Sequence, residues 1–427
     1  MKKLLFVLCT GAFLFSGCRD IVLETQINKE PNDIKNSVIN KKEIDLARPI
    51  QLQPQTRAIL EQNNSFALDF FKAVSQKCNT TLFLSPYSMY AALGMLYNGA
   101  SGKTKEEISN VLGMGDFTPE EVNKYYQELT KALLEVDPCT SLSLANAIWA
   151  NNGVVLKPSF VALNQNYYDA EVSTLDFSLS SALKTINDWS NKQTKETIPE
   201  ILDSIDPASL VILANAIYFN SFWTYDFDQS KTVEKPFHNT DGTTSAVPMM
   251  HQKQLSLQYA QMDDCAMVTL PYANTAFVMN LILPVKEKDI NVLIDELDKE
   301  TWLAMMRHAE QTLVTLSMPR FKIENEWSLA GILADLGMPS AFSARDADFS
   351  EMTDHVSTLV SEVIQKSYIS VDEIGTEASA VTFIKHAMST ILPNPPVAIM
   401  VFDRPFIFAI TEKSTGAILF MGKVAKL

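Results

Sequence analysis

The chain has 427 residues, and 35 Lys+Arg against 50 Asp+Glu leave a formal charge of −15. With 47% hydrophobic and 20% charged residues it is no disordered polyampholyte, and the acidic balance argues against a nucleic-acid partner, which needs a basic face. Its 14 Gly and 19 Pro exclude collagen-like and linker-array chains, and its length permits a large core without disulfides or metals.

The first element is an export signal. Met1-Lys2-Lys3 is a short basic start, and Leu4 to Phe15 is apolar apart from Thr10 and Gly11. That run is too short to span a bilayer and fits a signal h-region. It ends in Leu14-Phe15-Ser16-Gly17-Cys18, which resembles the bacterial lipobox, with Phe15 where Leu is usual. The expectation is a signal over 1–17 and a lipid anchor on Cys18. The alternative is an ordinary signal peptide cut nearby. Either reading exports the chain to the cell envelope or beyond. Residues 18–58 are polar and read as a flexible tether. Apolar patterning is continuous from Asn64 to Val424, so residues 59–427 read as one domain.

Helix starts are marked in that body. Ser85-Pro86 sets an N-cap before a proline at the first helical position. Thr104-Lys105-Glu106-Glu107 and Thr118-Pro119-Glu120-Glu121 both spell capping boxes. Asn291–Leu297 and Trp327–Leu336 carry helical spacing. Strands are predicted over Leu142–Trp149, Leu210–Phe219, Ala276–Leu283 and Leu313–Met318. Four more follow at Tyr368–Val371, Ala398–Phe402, Phe406–Thr411 and Ile418–Gly422. Helices come first, then mixed elements, then strands, which is α+β rather than a doubly wound alternation.

Chemistry is sparse. His238, His251, His308, His355 and His386 show no metal-ligand spacing, and no Gly-x-Ser-x-Gly elbow or Gly-rich phosphate loop occurs. Cys78, Cys139 and Cys265 are too scattered for a disulfide framework and read as buried thiols. No enzyme, cofactor or metal is expected.

The informative segment lies between residues 368 and 404. A strand leads into Asp372-Glu373-Ile374-Gly375, and then small side chains alternate. Thr376, Ala378, Ala380 and Thr382 share one parity; Glu377, Ser379, Val381 and Phe383 share the other. Strand side chains alternate faces, so the segment is suited to enter a sheet with small groups inward. The same composition also suits a surface loop, and from the residues alone both readings stand. Pro393, Pro395 and Pro396 then bar regular pairing.

Here the chain resembles the serpin family of protease inhibitors. The resemblance spans about residues 64–427. It is carried by Leu82-Phe83-Leu84-Ser85-Pro86-Tyr87-Ser88, Leu213-Ala214-Asn215-Ala216-Ile217-Tyr218-Phe219 with Trp223, and Leu316-Ser317-Met318-Pro319-Arg320-Phe321. Asp372-Glu373-Ile374-Gly375-Thr376-Glu377-Ala378 resembles the family's hinge, and Asp403-Arg404-Pro405-Phe406 closes the set. The resemblance implies three β-sheets, eight or nine helices and an exposed reactive loop over about 373–403. It implies a monomeric suicide inhibitor of serine endopeptidases, with cysteine endopeptidases as a second target class. The protease acylates itself on the loop, and the cleaved hinge inserts into the central sheet. The hinge would be Glu373, Gly375, Thr376, Glu377, Ala378, Ser379, Ala380, Val381 and Thr382. Ser85, Ser88, Asn215, Gln365 and Trp223 would form the gate around the seam. Inhibitory relatives often carry His where Gln365 stands, which puts the stability of that gate in question. Counting seventeen residues from Glu373 reaches the Ser389–Thr390 bond, and a hinge one residue shorter gives Met388–Ser389. Counting back from Arg404 reaches Asn394–Pro395, where a proline blocks most serine proteases. Met388, Ser389 and Thr390 are therefore the reactive-bond candidates, fitting elastase-like or subtilisin-like targets. The alternative is a non-inhibitory binding protein of the same fold.

Overall fold

The computed structural model describes residues 45–355, 358–376 and 397–427. All belong to one compact unit, Lys41–Leu427. Nine α-helices occur among the described residues. The first, α1 (Pro54–Lys77), starts ahead of the boundary expected at residue 58. It buries Ile59, Phe66, Phe70, Phe71 and Val74. The chain is already anchored upstream: Ala47 N–H donates to Asn274 O at 3.0 Å, and Ile50 N–H to Ser414 Oγ at 2.9 Å.

Helix α2 (Pro86–Gly99) is buried on every side, as an all-round apolar helix must be. Ser85 caps it, its Oγ accepting from Ser88 N–H at 3.3 Å. Helix α3 (Gly102–Leu112) corrects one expectation. Its N-cap is Ser101, so Thr104 lies inside the helix. Thr104 Oγ1 accepts from Asp348 N–H at 2.9 Å instead, and Glu107 receives the Ser340 N–H and hydroxyl. Tertiary partners outcompeted the local box. In α4 (Pro119–Glu135) the box does form: Thr118 N–H donates to Glu121 Oε2 at 2.8 Å, and Glu121 N–H to Thr118 Oγ1 at 3.3 Å. The rest are α5 (Pro158–Tyr168), α6 (Ser180–Gln193), α7 (Ile290–Glu296), α8 (Lys299–His308) and α9 (Ala330–Asp335). The helical reading of Trp327–Leu336 needs correction at its start. Trp327 lies in a strand, and helix begins only at Ala330.

Early strands are β1 (Leu82–Leu84), β2 (Ser141–Asn151), β3 (Glu171–Leu175), β4 (Val211–Phe222) and β5 (Val233–His238). Then come β6 (Thr244–Gln261), β7 (Cys265–Pro271), β8 (Phe277–Pro284), β9 (Glu310–Pro319) and β10 (Phe321–Ser328). Last are β11 (Val360–Val371), β12 (Gly375–Thr376), β13 (Val397–Val401), β14 (Phe406–Glu412) and β15 (Ile418–Val424). One sheet runs β10-β11-β12-β4-β2-β3. The other nine strands follow β1-β15-β14-β8-β7-β6-β9-β13, with β5 also on β6. That path holds the other two sheets of the expected three, joined because β6 is long enough to serve both. Its start pairs β5 and its end pairs β7. A register shift between Gln252 and Leu255, with Gln254 at φ 52°, bends it between the two.

The six-stranded sheet packs one face on the main core, through Leu213, Ile217, Phe219, Val363 and Ile369. Its other face is covered by α6. Ala182 and Ile186 of that helix share a cluster with Ala147 and Trp149 of β2, Ala214 and Ala216 of β4, and Ile364 of β11. Small residues on β4 let the helix lie close over the seam with β11.

Candidate hinge and gate of the central sheet

Strands β4 and β11 meet as parallel neighbours over half their length, Leu213 opposite Val363 through Ala216 opposite Lys366. Parallel strands in one sheet leave room for an antiparallel strand between them, since such a strand pairs both sides. At the far end that place is taken. Gly375 pairs with Phe222 and Thr376 with Ser221 on β4, while Thr376 pairs with Val371 on β11. Gly375 is required there. A Cβ would stand 2.2 Å from Ser221 O and 2.5 Å from Phe222 Cα, both backbone atoms. Thr376 is buried, and its hydroxyl lies 2.6 Å from the Tyr272 hydroxyl. Its inward parity matches the sequence pattern.

The turn before Gly375 is held tightly. Asp372 Oδ1 accepts from Ile374 N–H at 2.8 Å and Gly375 N–H at 3.2 Å. Trp223 reads the turn with two donors: its indole N–H to Asp372 O at 2.9 Å and its backbone N–H to Ile374 O at 2.7 Å. The indole stacks on Tyr272 at 4.3 Å between centroids. Glu373 is 1% exposed, a buried carboxylate that must be paired. Arg320 supplies the pairing, with Nη2 at 2.7 Å and Nε at 2.8 Å from Oε1, and the Thr232 hydroxyl donates to the same oxygen. Arg320 sits between β9 and β10, so the ion pair ties the turn to the neighbouring sheet.

Midway along the seam a row of amides crosses the sheet. Asn146, Asn215 and Gln365 stand opposite one another on β2, β4 and β11, and all are at most 1% exposed. Gln365 Oε1 accepts from Ser85 N–H at 2.9 Å, and its Nε2 donates to Ser85 O at 3.0 Å and Asn215 Oδ1 at 2.9 Å. Asn215 Nδ2 donates to Asn146 Oδ1 at 2.6 Å, and Asn146 Nδ2 to the Tyr126 hydroxyl at 3.1 Å. Burial pushes that phenol up to about 12, so it stays a neutral partner. Ser85 Oγ donates to Leu419 O at 2.7 Å. Ser88 packs beside it, but its Oγ has no partner among the described residues. At the position where inhibitory relatives often carry His, the Gln365 amide both donates and accepts.

Ser85, Asn215 and Gln365 thus converge on one seam, and Trp223, Glu373, Gly375 and Thr376 on its open end. Glu377, Ala378, Ser379, Ala380, Val381 and Thr382 lie outside the described residues, as do Met388, Ser389, Thr390 and Cys18. Sequence reading did not single out Arg320, Thr232, Tyr272 or Asn146 as site residues. Arg320 is 53 residues from its partner, and Asn146 stands in a strand read only for its apolar neighbours. A lone Asn among the apolar residues of that strand was the available signal. No cluster of His, Cys, Asp and Glu suited to a metal occurs among the described residues.

Comparison with known proteins agrees with this geometry. The family model described as "Serpin (serine protease inhibitor)" matches residues 61–427. A serpin-like protein of Thermococcus kodakarensis is 32% identical over 376 residues, covering 87% of this chain and 86% of that protein. The leukocyte elastase inhibitor of Homo sapiens is 32% identical over 374 residues, covering 84% and 97%. Among solved structures, the thermophilic serpin tengpin in its native state aligns with a TM-score of 0.81 at 30% identity, covering 90% of this chain and 97% of that one. Human thyroxine-binding globulin, solved with its hormone, aligns at 0.78 and 28% identity, covering 87% and 99%. With a model matched over most of its length and relatives of this similarity, the chain belongs to the serpin family.

Proposed function

We propose that this serpin is an irreversible inhibitor of serine endopeptidases that works by inserting its cleaved loop into the seam between β4 and β11. The observation that carries the reading is the register of β12. The pairs Gly375–Phe222 and Thr376–Ser221 define an antiparallel track down β4. Continued along that track, Ala378 meets Phe219, Ala380 meets Ile217 and Thr382 meets Asn215. The pair Thr376–Val371 defines the track on β11, and it brings Thr382 to Gln365. Both tracks deliver the same hydroxyl between the same two amides, which already face each other across the seam. A threonine hydroxyl both donates and accepts, so it can replace the amide–amide bond it breaks. Small Ala378 and Ala380 would enter the main core side, where Phe219 and Ile217 leave little room. Val381 and Phe383 would lie on the other face, opposite Ala216 and Ala214 beneath α6.

The target class follows from the bond. Met388–Ser389 or Ser389–Thr390 suits a protease with a small or medium apolar pocket, and similarity to leukocyte elastase inhibitors supports an elastase-like enzyme. Cys18 would carry lipid and hold the inhibitor at the cell envelope of a bacterium. A second reading, a non-inhibitory binding protein, draws on the likeness to thyroxine-binding globulin.

The test is incubation of the full chain with an elastase, a subtilisin, trypsin and chymotrypsin, read by denaturing gel and intact mass. The expected result is a covalent complex with an elastase-like or subtilisin-like enzyme and release of a C-terminal peptide starting at Ser389 or Thr390. Thr382→Arg should be cleaved at the same bond but give little complex, because a charge cannot be buried between two amides. Cleavage without complex by every enzyme would move the assignment to the binding reading.

A further inference from the structure

Three buried asparagines meet where helices α2, α4 and α5 pack together. Asn98 is 9% exposed, Asn123 3% and Asn164 0%. Asn98 Nδ2 donates to Asn123 Oδ1 at 3.0 Å and to Asn164 Oδ1 at 3.2 Å, and Asn123 Nδ2 returns a bond to Asn98 Oδ1 at 3.1 Å. The Tyr168 hydroxyl donates to Asn123 Oδ1 at 2.8 Å. Asn164 Nδ2 has no partner among the described residues. Buried amides are costly unless paired, and a donor left over in such a network calls for an explanation. Asn98 and Asn123 also form part of the wall of a cavity of about 410 Å³.

That cavity is built on fixed elements. Asn98 stands near the end of α2, Ser101 and Lys105 at the start of α3, and Pro119 and Glu120 at the start of α4. Leu163 and Tyr167, four residues apart, share one face of α5. Glu351 closes the cavity from the loop before β11. The loop is pinned by Ser101 N–H on Asp348 O at 2.9 Å and Met352 N–H on Gly99 O at 3.0 Å, and Gln127 Nε2 on Asn166 O at 2.7 Å ties α4 to α5. Several polar groups on the wall are uncommitted. Ser101 is the N-cap of α3, yet its side chain makes no cap bond. Lys105 lies over the Tyr97 ring at 4.9 Å and is in no ion pair among the described residues. Lys157, in electrostatic range of Glu351, is committed to Asp354 at 2.8 Å. Glu120 is held by Lys124 at 2.7 Å. The free charges on the wall are therefore one ammonium and one carboxylate.

We propose that this cavity binds a neutral polyhydroxylated ligand, a hexose or the hexose end of a larger sugar. The two free charges cancel, so the wall offers no net attraction to a phosphate ester or a sulfated sugar. What it offers is variety: two amides, the Ser101 and Tyr167 hydroxyls, an ammonium and a carboxylate. A sugar hydroxyl both donates and accepts, so a ring carrying several of them can meet each of these groups in turn. The C–H face of the same ring is apolar and fits the Tyr167 ring with Pro119 and Leu163 beside it. The volume is that of a small-molecule pocket. The asparagine network then has a purpose beyond packing. It holds Asn98 and Asn123 in place before the ligand arrives, which lowers the ordering cost of binding. None of these residues belongs to the hinge or gate, so the site is independent of the inhibitory reading.

The experiment titrates the full chain with glucose, galactose, mannose and N-acetylglucosamine at millimolar concentration. A hexose phosphate, a hexosamine and the zwitterion leucine serve as charged controls. Calorimetry gives the affinity, and saturation-transfer NMR shows which ligand protons touch the protein. The expected result is saturable binding of at least one neutral sugar, with transfer strongest at the C–H protons of one ring face. Tyr167→Ala should weaken that binding roughly tenfold, and Glu351→Gln should weaken it as well. Thermal unfolding checks that both variants are folded. Glu351 is exposed, so its variant keeps the test open if Tyr167→Ala fails to fold. No saturable binding by any neutral sugar overturns the proposal. Affinities within about twofold of the parent in both variants place the sugar elsewhere and overturn the site. Tighter binding of any charged control than of every neutral sugar overturns the ligand class.

Discussion

Gln365 holds three hydrogen bonds from a position 0% exposed. Gln365→Leu would orphan the Ser85 N–H and Asn215 Oδ1 together, and leave the Ser85 carbonyl only its bond from Met89 N–H. A loss of about 3 kcal/mol is expected, measured by urea unfolding. Gln365→His tests a different property. A buried neutral imidazole must charge as the pH falls below about 6.5, so that variant should lose stability there, while the parent shows no such step from this site. Gly375→Ala forces a methyl group onto Ser221 O and should expel β12. Hydrogen exchange at the Trp223 amide, now bonded to Ile374 O, would then accelerate. Asp228 offers a pH prediction of the same sign in a lower window. Hydrogen bonds from Ser230 and Lys231 lower its carboxyl to about 2. A folded pKa below the unfolded value gives stabilisation that is complete above about 4 and disappears as the pH falls through about 2. The turn Asp228–Lys231 leads directly to Thr232, a donor to Glu373, so carbon-detected titration of Asp228 should report acid loosening of that contact.

At the level of elements, legibility followed locality. The α4 cap was readable because all its partners lie within four residues, and Thr118→Ala should cost about 1 kcal/mol in thermal unfolding. The same four-letter pattern at Thr104 misled, because Asp348 and Ser340, more than 230 residues away, claimed its polar groups. Trp327 opens a stretch read as helical to Leu336, yet it pairs with Gln365 across β10 and β11, a long-range register that no local period reveals. Strand β6 was not read as a strand, since Met249 and Met250 are buried in succession and Leu257 and Ala260 three apart, so no strict alternation marks it. Of the hinge, only Glu373, Gly375 and Thr376 lie among the described residues, and the inward parity of Thr376 was legible for the opposite reason. The hinge's small residues at every second position answer to a strand's own two-residue repeat, whatever lies opposite. What could not be read was the other half of each contact: Arg320 for Glu373, Tyr272 for Thr376, Asn146 for Asn215.

For the whole molecule, the central sheet is incomplete along half of the seam and could gain pairing on both sides of an added strand. The cleaved protein should therefore unfold at a higher temperature than the intact one, by calorimetry; equal transitions would favour the binding reading. The amide row adds a consequence of a different kind. If the chain inhibits as proposed, the Gln365–Asn215 bond must open before a strand can pass it, and while it stays shut the acyl-enzyme is free to hydrolyse. On that reading the row is a clock set against deacylation. Every 1.4 kcal/mol added to its opening shifts that race about tenfold, so polar bonds chosen for a stable fold also set the fraction of inhibitor wasted as substrate.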